Sequence, residues 1–124
     1  MDSTTLKDIL PTLPWLRVVH YLLSGTDRRY VAHCLDLDIV ATGPSQENAL
    51  DKLDDLVKAH IEVALATGQL ENLSTKAPSS YWRQFIDGER IEVQRKTLHI
   101  RIPEAVQVVP LENSEVGILA HRAA

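Results

Sequence analysis

The stretch that decides the fold reads RYVAHCLDLDIVATGPSQENAL, from Arg29 to Leu50. Its first part, Arg29–Leu35, is rich in aromatic and β-branched residues and predicts a strand. A short acidic link at 36–38 leads to a second apolar run at Ile39–Thr42. Gly43-Pro44 ends that run, because proline has no N–H to pair in a sheet. The stretch therefore predicts two neighbouring strands that lead directly into the next element.

That next element is a long amphipathic helix. Ser45 can accept a hydrogen bond from an early helical N–H, and Glu47 places negative charge near the positive end of the helix dipole. Gly68 is a natural C-terminal stop. Apolar residues recur three and four positions apart, which places them on one side of a helix: Ala49, Leu50, Leu53, Leu56, Val57, Ile61, Ala64 and Leu65. The charged residues between them are expected mostly on the outside.

The flanking sequence completes an α+β fold. Leu16–Leu23 predicts a strand, and the turn residues Ser24–Asp27 join it to Arg29–Leu35 as a hairpin. Downstream we expect a short amphipathic helix and additional C-terminal strands, at Ser79–Ile86, Ile91–Val93, Thr97–Ile102 and Val106–Val109. The prediction is a three- to four-stranded antiparallel sheet packed on one long helix. The domain is expected at 15–110, between a flexible N-terminal segment at 1–14 and a C-terminal tail at 111–124.

Composition narrows the class of protein. The net charge of −4 and the lack of a basic block argue against a free-standing nucleic-acid binder, because phosphate contacts need a basic face. Cys34 is the only cysteine, which removes any intramolecular disulfide and any Cys-rich zinc site. The first ten residues lack a signal-peptide pattern, and no stretch is long enough to cross a bilayer. We therefore expect a cytoplasmic protein without a membrane partner.

The segment Leu16–Gly68 resembles the HicB antitoxin family. The resemblance is carried by an aromatic-led strand, a short acidic link, a brief strand ending in Thr42-Gly43, and the pattern Ser-x-Glu-x-Ala-Leu that ends at Leu50. The Leu-rich helix continues the match through Ile61. The resemblance implies a partial RNase H-like fold, with three antiparallel strands, the helix on one face and a fourth strand after it.

The resemblance also implies a function. HicB proteins neutralise HicA, a small toxin that cleaves RNA, by covering its active surface. It therefore implies a binding protein rather than an enzyme, with no cofactor, a cognate HicA-like toxin as partner, and self-association as a dimer or tetramer. The alternative is an orphan regulatory or structural domain without a toxin.

A DNA-binding module is common at the C-terminus of HicB proteins. Here Leu98–Ala105 resembles the strand and helix start of a ribbon-helix-helix unit. Pro110 would interrupt the helix that should follow, and too few residues remain for two helices of ordinary length. We therefore do not expect DNA binding through a complete module of this kind.

A metal-dependent nuclease is the enzymatic alternative, because two-metal sites need clustered carboxylates. Asp36, Asp38 and Glu47 are the candidate ligands. The absence of an acidic residue from Leu16–Leu23 counts against this reading, and a solvated loop with a dipole-complementing first helical turn explains the same residues. Cys34 is expected to be buried and unreactive. We predict no catalytic residue and no metal site.

Two sets of residues are candidates for partner binding. Asp51, Asp54 and Asp55 form an acidic helix face that would match a basic, RNA-binding toxin. Tyr81 and Trp82 are either partner contacts or a satellite core cluster. The largely apolar strand at Leu16–Leu23 needs cover on both faces. That second cover is expected either from the segment containing these aromatic residues or from a second copy of the chain.

Overall fold

The computed structural model describes residues 17–101 and 115–123. Its first two strands, β1 (Val18–Thr26) and β2 (Arg29–Cys34), form an antiparallel hairpin. The connecting residues Asp27 and Arg28 both have positive φ, which is the backbone geometry that matches the twist of a two-residue hairpin loop. Strand β3 (Ile39–Gly43) pairs antiparallel with β2. The three predicted strands are confirmed, but the hairpin turn lies at Asp27 and Arg28 rather than at Ser24–Asp27, because β1 continues through Thr26.

Helix α1 spans Gln46–Thr67. The backbone N–H of Asn48 donates to Ser45 Oγ over 3.0 Å, which confirms the predicted N-cap. Gly68 ends the helix in the left-handed conformation, with φ of 71°, and its N–H donates to the carbonyl of Ala64. The long helix and both of its predicted ends are therefore confirmed.

The remaining elements extend the sheet and cover its second face. A 3₁₀ helix at Leu70–Ser74 precedes helix α2 (Ser79–Asp87). Three strands follow: β4 (Glu89–Ile91), β5 (Thr97–His99) and β6 (Glu115–Arg122). The strand order is β3-β2-β1-β6-β4, and β5 also pairs with β6. The predicted α+β class, with a sheet on a long helix and additional C-terminal strands, is confirmed.

The structure corrects two details of the predicted sheet. The sheet is mixed rather than antiparallel, because β6 runs parallel to β1, with Val19 opposite Ile118. The segment 111–124 was expected as a tail after the domain, yet β6 lies inside the sheet between β1 and β4. A local pattern cannot show this, because β6 finds its partner strand far away along the chain. The predictions for 1–14 and Val106–Val109 lie outside the described residues.

Side chains of the sheet alternate between two faces. Val19, Tyr21 and Leu23 of β1 point to the side covered by α1, where they join the main core. His20 and Leu22 point to the opposite side. The main core also contains the inward stripe of α1, namely Ala49, Leu53, Val57, Ile61 and Ala64. The helix therefore packs on one face of the sheet through buried residues that run from Ala49 to Ala64.

Helix α2 covers part of the opposite face. Its buried Phe85 packs with Leu22 and Leu35, and the half-buried Trp82 and Leu119 pack against this second cluster. The segment Tyr81–Phe85 therefore covers the second face of β1 from within the chain. This was one of the two predicted alternatives, and the other was a second copy of the chain.

Candidate functional site

A cavity of about 250 Å³ lies between the first half of α1 and residues 91–95, which are the end of β4 and the four residues after it. We call it the acidic pocket. Its apolar lining residues are Leu50, Ile91, Val93 and Ile118. Its polar lining residues are Tyr21, Gln46, Glu47, Asp51, Asp54, Glu92, Gln94 and Arg95. A concave site with an apolar lining and a few converging polar groups is the usual form of a binding pocket.

Asp54 is the buried polar group of the acidic pocket. Only 4% of this residue is exposed. The hydroxyl of Tyr21, which points to the α1 side of β1, donates to Asp54 Oδ1 over 2.9 Å. Arg95 Nη1 lies 3.8 Å from Asp54 Oδ2. The contacts of Asp54 thus connect α1 with β1 and with the segment between β4 and β5.

Burial sets the electrostatics of this group. It raises the pKa of Asp54 from 3.8 to about 6, against the opposing effects of the Tyr21 hydroxyl and the Arg95 cation. The neighbouring carboxylates of Asp51 and Asp55 push the pKa of Asp54 in the same upward direction as burial. Burial and the Asp54 charge also raise the pKa of Tyr21. A carboxyl group with a raised pKa in a concave site is a candidate functional group.

The predicted acidic helix face is therefore divided. Asp51 is exposed and lines the acidic pocket, and Asp55 is exposed over 82% of its side chain. Asp54 is buried, so its prediction as an exposed partner contact needs correction. The reason is helical geometry: Asp54 lies four residues after Leu50 and three before Val57, which places it on the inner stripe.

The two predicted aromatic residues lie on the other side of the sheet. Trp82 is half-buried, and its ring centre lies 5.3 Å from that of His20. Tyr81 is exposed and contacts the ring of His33 edge-on, at 4.8 Å between centres. The five predicted partner residues therefore do not form one surface, because α1 and α2 cover opposite faces of the sheet.

The carboxylates proposed for a nuclease are not brought together. Asp36 Oδ2 lies 3.1 Å from Nδ1 of His20, and Asp38 Oδ1 lies 2.7 Å from Nε2 of His33. Glu47 lines the acidic pocket instead. Within residues 17–101 and 115–123, no three or more histidine, cysteine or carboxylate side chains are grouped so that they could hold a metal ion.

Cys34 is fully buried, as predicted. Burial raises the pKa of its thiol to about 12, so the reactive thiolate is scarce at neutral pH. Its partner across the hairpin is Tyr21. The imidazole of His20 contacts Asp36, on the opposite face of the sheet from the core that contains Cys34. His20 is therefore not placed to act as a base for this thiol.

Sequence reasoning missed two residues of the acidic pocket. The sequence pattern places Tyr21 in an apolar strand, and the one signal for its role is that a tyrosine at an inward position needs a buried partner for its hydroxyl. Arg95 carries no local signal, because its neighbours in space come from α1.

No family model, no curated protein and no solved structure matches this chain. In the part of the chain that the structure describes, no helix has both the length and the apolar composition needed to cross a bilayer.

Proposed function

We propose that this chain is a HicB-like antitoxin, or an orphan relative of one, and that it neutralises a small RNA-cleaving toxin by protein–protein contact. The observation that supports the proposal is the outer side of α1, where large apolar side chains are exposed among carboxylates. Leu56 is 47% exposed and Val63 is 59% exposed. Together with Asp51 and Asp55, they make up what we call the α1 surface.

The apolar residues of the α1 surface are spaced for contact with a partner. Leu56 and Val63 are seven residues apart, so they lie two turns apart on the same side of the helix. The exposed residues Ala59 and Ala66 continue this stripe three residues after each of them. Exposed apolar side chains that form a stripe bordered by charges are typical of interaction sites, whereas scattered single residues are not.

Charge favours a basic partner for the α1 surface. Asp51 and Asp55 are exposed, and Arg95 Nη1 lies 4.0 Å from Asp55, while the charge of Lys58 is offset by Glu62 at 3.3 Å. The chain as a whole carries a net charge of −4. Complementary charge raises the association rate and selects among partners. An RNA-binding toxin needs a basic surface for phosphate contacts, so it fits this surface in sign.

The proposal includes a cytoplasmic location and a homo-oligomer, and it assigns no catalytic residue and no cofactor. Self-association is supported by apolar exposure on the outer face of the sheet, at Val18 and Val40. Val40 belongs to β3, which is an edge strand of the sheet that the described residues form, and edge strands are a common route to pairing between copies. Size-exclusion chromatography with light scattering tests this part, and a monomer at all accessible concentrations would contradict it.

The central experiment is co-expression with the product of the adjacent small open reading frame. We expect the two proteins to co-purify and the chain to relieve growth arrest caused by that product. The double variant Asp51→Lys/Asp55→Lys is expected to weaken the complex about tenfold or more, because two attractive charges become repulsive. The matched control is Asp87→Lys/Glu89→Lys, which makes the same charge change at exposed residues away from α1.

Two results would count against the proposal. If Asp51→Lys/Asp55→Lys bound the toxin as well as the wild type, the α1 surface would not be the binding surface. If no neighbouring product formed a complex or arrested growth, the orphan alternative would replace the antitoxin.

A further inference from the structure

Within the described residues, the carboxylate of Asp54 accepts one hydrogen bond and has one distant cation. Its side chain is 5% exposed, and Oδ1 accepts one neutral hydrogen bond from Tyr21. The distance of 3.8 Å from Oδ2 to Arg95 Nη1 exceeds that of a hydrogen bond. No other hydrogen bond from a residue of the described ranges reaches Oδ2. An ionised carboxylate has room for about four hydrogen bonds, so Oδ2 keeps acceptor capacity at the lining of the acidic pocket.

The space beside Asp54 is suited to a cation on an aliphatic stem. The acidic pocket has apolar walls that include Leu50, Ile91 and Ile118, which fit methylene groups. The exposed carboxylates of Glu47 and Asp51 also line it and would attract a positive charge. Because the cavity combines an apolar lining with a buried acceptor, it is more than a cluster of acidic residues on a surface.

The chain's own arginine shows which chemistry reaches this site. Arg95 Nη1 lies 3.8 Å from Asp54 and 4.0 Å from Asp55, while 53% of its side chain stays exposed. Both distances are too long for the paired N–H···O bonds that a guanidinium and a carboxylate form at full strength. Arg95 therefore neutralises charge at the pocket without satisfying Asp54.

We propose that the acidic pocket binds the guanidinium group of an arginine side chain supplied by the partner, and that this group displaces Arg95 from Asp54. The identity of the partner rests on the proposed function, whereas the pocket's affinity for a guanidinium group does not. The incoming guanidinium donates two hydrogen bonds to Asp54, and its stem packs on the apolar walls. Arg95 then remains free to pair with the exposed Asp55.

Binding requires the charged form of Asp54, so it depends on pH. Charged or titratable groups from three elements surround this carboxyl in the described part of the chain. They are Tyr21 from β1, Glu47, Asp51 and Asp55 from α1, and Glu92 and Arg95 from the residues after β4. Burial raises the pKa of Asp54 to about 6, so below that pH protonation removes its negative charge and leaves too few acceptors for a paired guanidinium contact. Affinity is expected to rise between pH 5 and pH 7.

The test uses the full chain and a small probe, followed by NMR. Nα-acetyl-L-arginine amide supplies the guanidinium group, and Nα-acetyl-L-citrulline amide is the neutral control of nearly the same shape. We expect saturable shifts at the backbone amides of Tyr21 and Asp54 with the arginine probe alone. Asp54→Asn keeps the acceptor for the Tyr21 hydroxyl and removes the charge, and it is expected to weaken binding about tenfold or more. Arg95→Ala is expected to tighten binding, because the internal competitor is removed.

The inference is wrong if the citrulline probe binds as well as the arginine probe, if Asp54→Asn binds unchanged, or if neither the wild type nor Arg95→Ala shows saturable shifts. These failures are distinguishable from failure of the proposed function. A toxin complex that depends on Asp51 and Asp55, in a protein that ignores the arginine probe, would overturn only the pocket. Probe binding without any toxin complex would overturn only the antitoxin proposal.

Discussion

Two aspartates are buried to the same extent on opposite sides of the sheet, yet their surroundings differ. Asp36 is 3% exposed, and its carboxylate accepts the backbone N–H of His20 and contacts the Nδ1 atom of the same residue. Asp54 is 4% exposed, and among the described residues its carboxylate accepts one hydrogen bond, from the Tyr21 hydroxyl. Burial alone therefore does not reveal the role of a carboxylate. Asp36 ties the link after β2 to β1, whereas Asp54 retains unused acceptor capacity beside a cavity.

The difference is also energetic. A pKa that rises from 3.8 to about 6 means that the ionised form of Asp54 is disfavoured by about 3 kcal/mol relative to an exposed carboxylate. Buried polar groups are usually paired so that they do not destabilise the fold, and a group that costs stability at neutral pH is an exception to this pattern. Such violations concentrate at functional sites. The comparison therefore supports a structural role for Asp36 and a binding role for Asp54.

The largest effect is expected where α2 covers the outer face. Phe85→Ala removes a buried ring that stacks on His121 with 3.8 Å between ring centres, so we expect a loss of about 3 kcal/mol in unfolding free energy. Urea denaturation measures it. Ile86→Ala is the matched control, because Ile86 is 74% exposed and its truncation is expected to change little. Equal effects of the two variants would show that α2 does not cover the sheet in solution.

Asp36→Ala tests the carboxylate assigned a structural role. It leaves the backbone N–H of His20 without its acceptor and removes the ring contact, so we expect a loss of about 2 to 3 kcal/mol. Asp55→Ala is the control, because that side chain is largely exposed and is expected to contribute less than 1 kcal/mol. If Asp36→Ala unfolded at the same urea concentration as the wild type, Asp36 would not have the structural role assigned to it.

Asp54→Asn tests the carboxylate assigned a binding role. This substitution is expected to raise the free energy of unfolding, whereas Asp36→Ala lowers it. The folded-state pKa of Asp54 is raised, so the folded state binds the proton more tightly than the unfolded state does between pH 4 and pH 6. The associated stability is fully present below pH 4 and is lost as the pH rises through 6. Asparagine avoids the buried charge, so we expect a gain of about 2 kcal/mol at pH 8 that vanishes by pH 4.

The measurement is thermal unfolding of the wild type and Asp54→Asn at pH 4, 6 and 8. A variant that is less stable than the wild type at pH 8 would mean that the charge of Asp54 stabilises the fold, and the contrast with Asp36 would disappear.

The smallest effect concerns the start of α1, which positions Glu47 and Asp51 at the acidic pocket. Ser45→Ala removes the cap on Asn48, and we expect a loss of about 1 kcal/mol in unfolding free energy. Ser80→Ala is the control, because it removes an exposed hydroxyl from within α2. A cap that contributed nothing would show up as equal unfolding midpoints for the two variants.

The sequence predicts the hairpin, β3 and α1 because their signals are local. Ser45 and Gly68 mark both ends of the helix, and the hairpin closes within a few residues, through the two-residue turn at Asp27 and Arg28. Strand β6 has no such signal: its position follows from parallel pairing with β1 from the other end of the chain. Parallel pairing at such separation is a property of the folded chain as a whole.

The candidate site was predictable only in part. The acidic character of α1 around Asp51 and Asp55 follows from composition. The burial of Asp54 depends on which side of the helix meets the sheet, and composition does not show this. In the structure, Asp54 and its neighbour Leu53 both lie on the buried side. The tertiary partners Tyr21 and Arg95 fix the role of Asp54, and no spacing along the sequence encodes them.

The most direct test of this account is a ¹³C NMR titration of the Asp54 carboxyl group, with and without saturating Nα-acetyl-L-arginine amide. We expect a pKa of about 6 for Asp54 in the free protein and a clear fall when the probe is bound, because the guanidinium favours the charged form. A free-protein pKa near the ordinary value, or a pKa that the probe leaves unchanged, would contradict the assignment of Asp54 as a binding group.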